Sequence, residues 1–590
     1  MSQISTLASK FKTFFTTGEV SAVLGAKFFY IVLVNSLTFH SLSFGDDFIE
    51  FAERYMKNFF WNFGSFFIIF SFCLFLKAKL YQVLLNVLFW LTFIIGAVNI
   101  FLLINFNFTL NAAAISTFFA TNMRETGEFL NLYVYDNQTT LIVLALFIII
   151  SVAVFRVKRS FEFSRRIHLV LALIILFFVS DNYKRWGVLH QMQKTALFFA
   201  VGGIHFEIKE QQNALAELAK SKDEINAMLK DKITQSAGGG GGLQYISQSK
   251  QIPKIVLIIG ESTQRNYMQI YGYGLPTTPH LAELVKSQNL FIFDDVISSS
   301  TATSINLMRI LTFANVENSA TPWYKQMNLV DAMKLLGYST AFLSTQEPMS
   351  LYGNAQQSIA LHADFYDYGS LHKFTKKRDE RLLEMYDGLK TQQKPSQMLI
   401  FHLMGTHTSY KVRYPDEFAK FGIDDLRKNG LDSFTSGAKK GQSLNFKQAR
   451  NRARYLNAVL YNDFVVSELM KRFADDESIV LYLSDHGDEV YDTRNFAGHG
   501  EPNRYSLEIP FIIYMSDTFK ARHPDIVTKV QKAQHKPFMS DNLMHALFDL
   551  LNIECVELDK TLSLFSDKFN DKRVRLIDGK DYDKDLKSVK

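Results

Sequence analysis

Cysteine is nearly missing from this chain: 590 residues hold two, Cys73 and Cys555. One falls in an apolar run and the other near the C-terminus, so no bridge between them and no disulfide framework is expected. An exported domain built this way depends on its core and can draw on bound metal. A large excess of one charge is missing too. Lys and Arg number 64 against 58 Asp and Glu, a net +6, and much of the excess sits in short loops between apolar runs. No nucleic-acid motif is present and no nucleic-acid face is indicated. The glycine run 238–242 has no strand before it and no Lys-Ser/Thr after it, which argues against a phosphate-cradling loop and for a flexible linker.

Apolar and aromatic residues, by contrast, are abundant: 48% of the chain is hydrophobic, with 54 phenylalanines. Five apolar runs, 23–42, 59–76, 83–104, 140–155 and 167–179, approach the ~20 residues that cross a bilayer as a helix. The first begins too late for a signal peptide and four others follow it. Residues 1–182 are therefore expected to form an all-α, five-span transmembrane domain. Basic residues in "RVKRSFEFSRR" and at Lys77 and Lys79 mark the cytoplasmic side, and the acidic loops mark the other. With the N-terminus inside, everything after Ser180 lies outside the cytoplasm.

Residues 183–250 carry the charged, helix-forming stretch "EIKEQQNALAELAKSKDEINAMLKDK" and then the glycine run, which predicts an amphipathic connector along the membrane surface. From 251 to 590 the pattern changes. Apolar strands at 254–260, 340–344, 398–405, 478–484 and 509–516 alternate with helix-like segments around 329–336 and 456–473. Such strands predict a mostly parallel sheet in an α/β/α sandwich, with ligands gathered at the C-terminal strand ends.

The strand ends carry the chemistry. The first presents Glu261 in "GEST", the third runs to His407 in "GTHTSY", the fourth ends on Asp485 and His486 in "SDHG", and His499 follows in "AGHGEPN". A lone histidine or glutamate is more often structural. Two carboxylates and three imidazoles converging on one sheet edge instead suit a zinc-type site. The segment "DDVISSSTATSINLMRILTF" offers hydroxyls at the start of a helix, where the dipole and a bound metal would ease alkoxide attack on phosphorus. Its composition does not choose among Ser298, Ser299, Ser300, Thr301, Thr303 and Ser304.

The motifs "GESTQRNYMQIYGYGLPTTPHL", "LTFAN", "LMGTHTSYKVRYP", "LYNDFVV" and "LYLSDHGDEVYDT" resemble the lipopolysaccharide phosphoethanolamine transferases of Gram-negative inner membranes, above all the core-heptose-modifying branch. The resemblance extends through the membrane domain and implies an alkaline-phosphatase/sulfatase-like fold. It implies one tight zinc site on Glu261, Thr301, Asp485 and His486, with a second ion during turnover. Thr301 is its nucleophile, because the family's T-A-x-S run matches "TATS", although Thr303 lies two residues away. His407 and His499 would bind the substrate phosphate or a second metal. "TFFATNMRETGEFL" is similar to the family's periplasmic-side helix, on which Thr121 and Glu125 share a face toward the lipid headgroup, and Gln346 would line the pocket. Lipid A-directed members usually carry disulfides, and an Asn and a Lys after the second strand. This chain has "TQEPMS" there and no disulfide, which favours core heptose over lipid A.

The activity so implied is transfer of phosphoethanolamine from phosphatidylethanolamine to a lipopolysaccharide acceptor through a phosphothreonine-type intermediate. The enzyme would be a membrane-embedded monomer with a periplasmic catalytic domain, acting without nucleic acid. Two alternatives remain: a glycerophosphate or other phosphotransferase of the same fold, and a non-catalytic membrane sensor. A sulfatase activity is disfavoured, since "TATSINL" lacks the C/S-x-P-x-R context.

Overall fold

In this computed structural model, residues 20–37, 48–73, 78–106, 108–120, 123–135, 137–158, 160–164, 170–177, 179–180, 194–236, 246–346, 357–369, 378–389 and 396–588 are described. The chain divides into two compact units, Met1–Phe118 with Glu125–Lys209, and Phe119–Arg124 with Glu210–Lys590.

The first unit contains α1 (Ala26–Asn35), α2 (Phe48–Cys73), α3 (Ala78–Phe106), α6 (Gln138–Arg156) and the larger parts of α4 (Ala112–Ala120) and α5 (Met123–Leu130). Among the described residues, two helices are long and apolar enough to cross a membrane, Leu80–Phe106 and Gln138–Arg156. Phe28, Ile31 and Val32 of α1 are buried in one cluster with Phe66, Phe67, Phe70 and Phe89. Some of the buried polar groups inside the unit pair with one another, which offsets the cost of burying them. Asn35 donates to Thr92 Oγ1 at 2.9 Å, and its Oδ1 accepts from Leu197 N–H at 2.8 Å.

Leu197 opens α7 (Ala196–Ser236), a single helix of 41 residues that takes up most of the expected connector. Its stripe of Ala214, Leu218 and Ile225 is buried in the core of the second unit, with Leu229 packed against it. These residues recur at helical spacing, so this stretch of the helix turns an apolar face to protein. The glycine run lies outside the described residues.

The second unit is built on a seven-stranded sheet of β1 (Lys254–Gly260), β2 (Leu290–Phe293), β3 (Ser339–Ser344), β4 (Phe365–Tyr368), β5 (Gln397–His402), β6 (Ser478–Ser484) and β7 (Phe511–Met515). The order is β2-β7-β6-β1-β5-β3-β4. Five neighbours from β6 to β4 run parallel, while β7 is antiparallel to β6 and to β2. β1 and β6 are buried at every position, as strands covered on both faces must be. Helices α8 (Thr303–Leu311), α9 (Leu329–Leu335) and α10 (Phe446–Lys471) pack around the sheet. The register that matters most pairs Ser484 with Gly260, so that Glu261 and Asp485 leave adjacent parallel strands side by side.

Candidate metal and phosphoryl-transfer site

Each ligand candidate is placed by a strand ending where it does. Asp485 N–H donates to Gly260 O at 3.0 Å, a last ladder bond before the two chains part. Glu261, Asp485 and His486 then offer ligand atoms that lie within 4.8 Å of one another. His486 Nε2 is 3.4 Å from Glu261 Oε1 and 3.3 Å from Asp485 Oδ2. All three side chains are buried, and Asp485 Oδ2 has no hydrogen-bond partner. A buried carboxylate oxygen without a donor, facing a second carboxylate and an imidazole, is a costly arrangement that a divalent cation would satisfy.

The electrostatics agree. Burial, aided by the charge of Asp485, pushes the Glu261 carboxyl up to about 7, and burial pushes Asp485 up to about 6. Burial also drives His486 down to about 4, so its ring is neutral and free to ligate. His499 is different. Burial works against its charge, but the bond from its Nδ1 to Asp488 Oδ1 at 2.8 Å and the surrounding carboxylates raise it to about 9. Its ring lies 4.2 Å from that of His486 and 5.9 Å from that of His407, centroid to centroid. His486, Asp488 and His499 form a second group able to hold a cation.

The hydroxyl-rich segment resolves residue by residue. Ser298 donates to Ser300 O and Ser299 to Asn306 Oδ1, so both serve the local fold. Thr301, expected as nucleophile and ligand, donates to Gly500 O at 2.7 Å, beside His499. It is Thr303 that reaches the cluster, with Oγ1 at 3.3 Å from Glu261 Oε2 and 3.2 Å from His486 Nε2. The reason is where the helix begins. α8 starts at Thr303 after an extended Ala302, which sets the Thr303 hydroxyl at the positive end of the helix beside the strand ends.

His407 is brought in by a loop held on several sides. Thr406 N–H donates to Glu261 O at 2.9 Å, and Arg413 donates to the carbonyls of His407 and Thr408. Asp379 accepts from the amides of Met404 and Gly405. Gln346, expected to line the pocket, donates to Glu261 Oε2 at 3.1 Å. Thr121 lies outside the described residues, and of Glu125 only its place in α5 is described. Sequence reasoning missed Asp488 and Arg413. Asp488 had a signal, an acid two residues after His486; Arg413 had none, since its role is to cap two carbonyls.

Comparison with known proteins fits this geometry. The family model described as Sulfatase matches residues 253–553. The chain is 30% identical over 377 residues to phosphoethanolamine transferase EptC of Escherichia coli O18:K1:H7, covering 62% of this chain and 60% of that protein. It is 30% identical over 326 residues to phosphoethanolamine transferase CptA of Salmonella typhimurium, covering 54% of each. The chain thus spans little more than half the length of these relatives in the matched region. Among solved structures, the C-terminal periplasmic domain of EptC from Escherichia coli is 32% identical with a TM-score of 0.50, covering 58% of this chain and 94% of that one. The integral membrane lipooligosaccharide phosphoethanolamine transferase A of Neisseria meningitidis shares the fold over 91% of this chain and 98% of that one, with a TM-score of 0.63 at 17% identity. With more than half of its length matched by that model, the chain belongs to the sulfatase family.

Proposed function

We propose that this protein is a zinc-dependent phosphoethanolamine transferase, taking the group from phosphatidylethanolamine and passing it to a lipopolysaccharide acceptor, core heptose before lipid A. The observation that carries the reading is the Thr303 hydroxyl at the start of α8, set against buried Glu261 and His486 beside Asp485. The names of the similar proteins support it. On these contacts we propose Thr303 as the nucleophile, while the family motif favours Thr301.

Glu261, Asp485 and His486 would hold one zinc ion, and His486, Asp488 and His499 have the donor set for a second. Bound zinc supplies charge stabilisation to phosphoryl oxygens and lowers the pKa of a nearby hydroxyl. Thr303 Oγ1 forms a bond to phosphorus as the bond to the diacylglycerol oxygen breaks, with its proton lost toward the Glu261 carboxylate. With that second position free, His499, held protonated by Asp488, donates to the departing oxygen. The acceptor oxygen then bonds to phosphorus as the phosphorus bond to Thr303 Oγ1 breaks, the acceptor's proton passes to His499, and Glu261 returns its proton to Thr303. Five membrane spans with the N-terminus in the cytoplasm, a periplasmic second unit and a monomeric enzyme in the bacterial inner membrane complete the proposal. Such an anchor keeps the catalytic unit beside two lipid substrates.

The test is incubation of the zinc-loaded protein with phosphatidylethanolamine and no acceptor, followed by peptide mass spectrometry. Phosphoethanolamine on Thr303, lost in Thr303→Ala and retained in Thr301→Ala, is the expected result. An adduct on Thr301 would return the role to that residue. Diacylglycerol release from phosphatidylglycerol only would favour glycerophosphate transfer, and silence with both lipids a non-catalytic sensor.

A further inference from the structure

We infer that Ser262 is a positioning residue that fixes both carboxylates of the proposed metal site, with Gln346 holding the far oxygen of Glu261. The inference rests on the metal-dependent reading above. Ser262 follows Glu261 at the end of β1 and adopts φ of 59°, a left-handed conformation that residues with a Cβ rarely take. In that pose one residue serves two ligands. Its backbone N–H donates to Asp485 Oδ1 at 3.1 Å, and its hydroxyl donates to Glu261 Oε1 at 2.7 Å.

Glu261 Oε2 is held independently. Gln346 Nε2 donates to it at 3.1 Å and to Leu403 O at 2.9 Å, while the Gln346 N–H is fixed on Ser344 Oγ at 3.1 Å. Ser262, Glu261, Gln346 and Asp485 are all buried. A carboxylate with one outer donor on each oxygen has a fixed orientation and keeps its remaining lone pairs for a cation. The strained backbone adds to the argument. Glycine would adopt this φ freely but would bring no hydroxyl, so the serine here trades local relaxation for a donor aimed at Glu261.

A merely structural role, tying β1 to β6, predicts a different response to substitution, so the two readings separate. Zinc affinity of the full-length protein in detergent is measured by competition with a chromophoric chelator for the wild type, Ser262→Gly, Ser262→Ala and Gln346→Ala. Thermal midpoints of the metal-free forms are taken alongside. Ser262→Gly is expected to bind zinc roughly 10–100-fold more weakly while its metal-free midpoint is unchanged or higher, because the strain is relieved. Gln346→Ala is expected to lose roughly tenfold. Affinities of Ser262→Gly and Gln346→Ala within about twofold of wild type would overturn the inference. A wild type that takes up no zinc would instead sink the metal reading, and the inference with it. Should Ser262→Ala fail to fold, Ser262→Gly, with no backbone penalty, carries the test.

Discussion

Gly487, in the "SDHG" turn, gives the sharpest test of how the ligand end of β6 is held. Gly487 does not have the positive φ that would by itself call for glycine. What it needs is space. A Cβ there would lie 2.5 Å from the carbonyl oxygen of Tyr505, and Gly487 N–H already donates to Ser506 O at 2.9 Å. Opening that contact even to 3.0 Å moves one backbone segment against another by about half an ångström. Residues 504–507 form a short helix and cannot give way as a flexible side chain would. Gly487→Ala should therefore lose roughly 1–3 kcal/mol of stability, as overpacked sites do. It should also shift neighbouring His486 and weaken zinc binding by roughly tenfold. Gly388 is the control: it lies in the helix Arg381–Leu389 with nothing near its absent Cβ, so Gly388→Ala should gain about 0.5–1 kcal/mol. Thermal scans and chelator competition on both variants decide the matter. Wild-type midpoint and zinc affinity in Gly487→Ala would refute the steric account.

Further predictions concern charge and protonation. Arg452 is buried and its guanidinium donates to the carbonyls of Leu431, Ser433, Val490 and Tyr491, so Arg452→Met should lose at least about 3 kcal/mol in a denaturation experiment. In metal-free protein, the Glu261 pKa of about 7 lies above its ordinary 4.5, so the folded state retains a proton that the unfolded chain releases, and stability falls as pH rises between them. Glu261→Gln should thus raise the metal-free midpoint relative to wild type at pH 8, with the difference fading toward pH 4.5. The opposite sign holds for His545, which burial lowers to about 4 from 6.5. Its unfolded form takes up a proton first, so acid destabilises the wild type through that window, and His545→Gln should flatten the slope of midpoint against pH there.

The sheet was legible in the sequence because strands covered on both faces show as unbroken apolar runs. The runs at 254–260 and 478–484 match β1 and β6 residue for residue. β2 and β4 escaped notice: "FYDY" is an edge strand whose first residues are exposed, so its composition reads as a loop. The first half of α10, "FKQARNRARY", is polar in composition although Arg452 and Tyr455 are buried, and periodicity alone starts the helix ten residues late. Acids and imidazoles at strand ends were readable because topology delivers them to one edge. Which hydroxyl lies against Glu261 and His486 was not, since it turns on the first residue of α8, and motif spacing is blind to a helix boundary. Gln346 was found by its position, but its bond to Glu261 shows only in the fold.

The bond joining Ser262 to Asp485 spans 223 positions of sequence, and it closes only after β1 and β6 have paired in register. No local segment of the unfolded chain can gather the donors of this site. Closing so long a loop belongs to the slow, non-local part of folding, so tight zinc uptake in a refolding experiment should lag behind the formation of helix and report the moment at which the central strands meet.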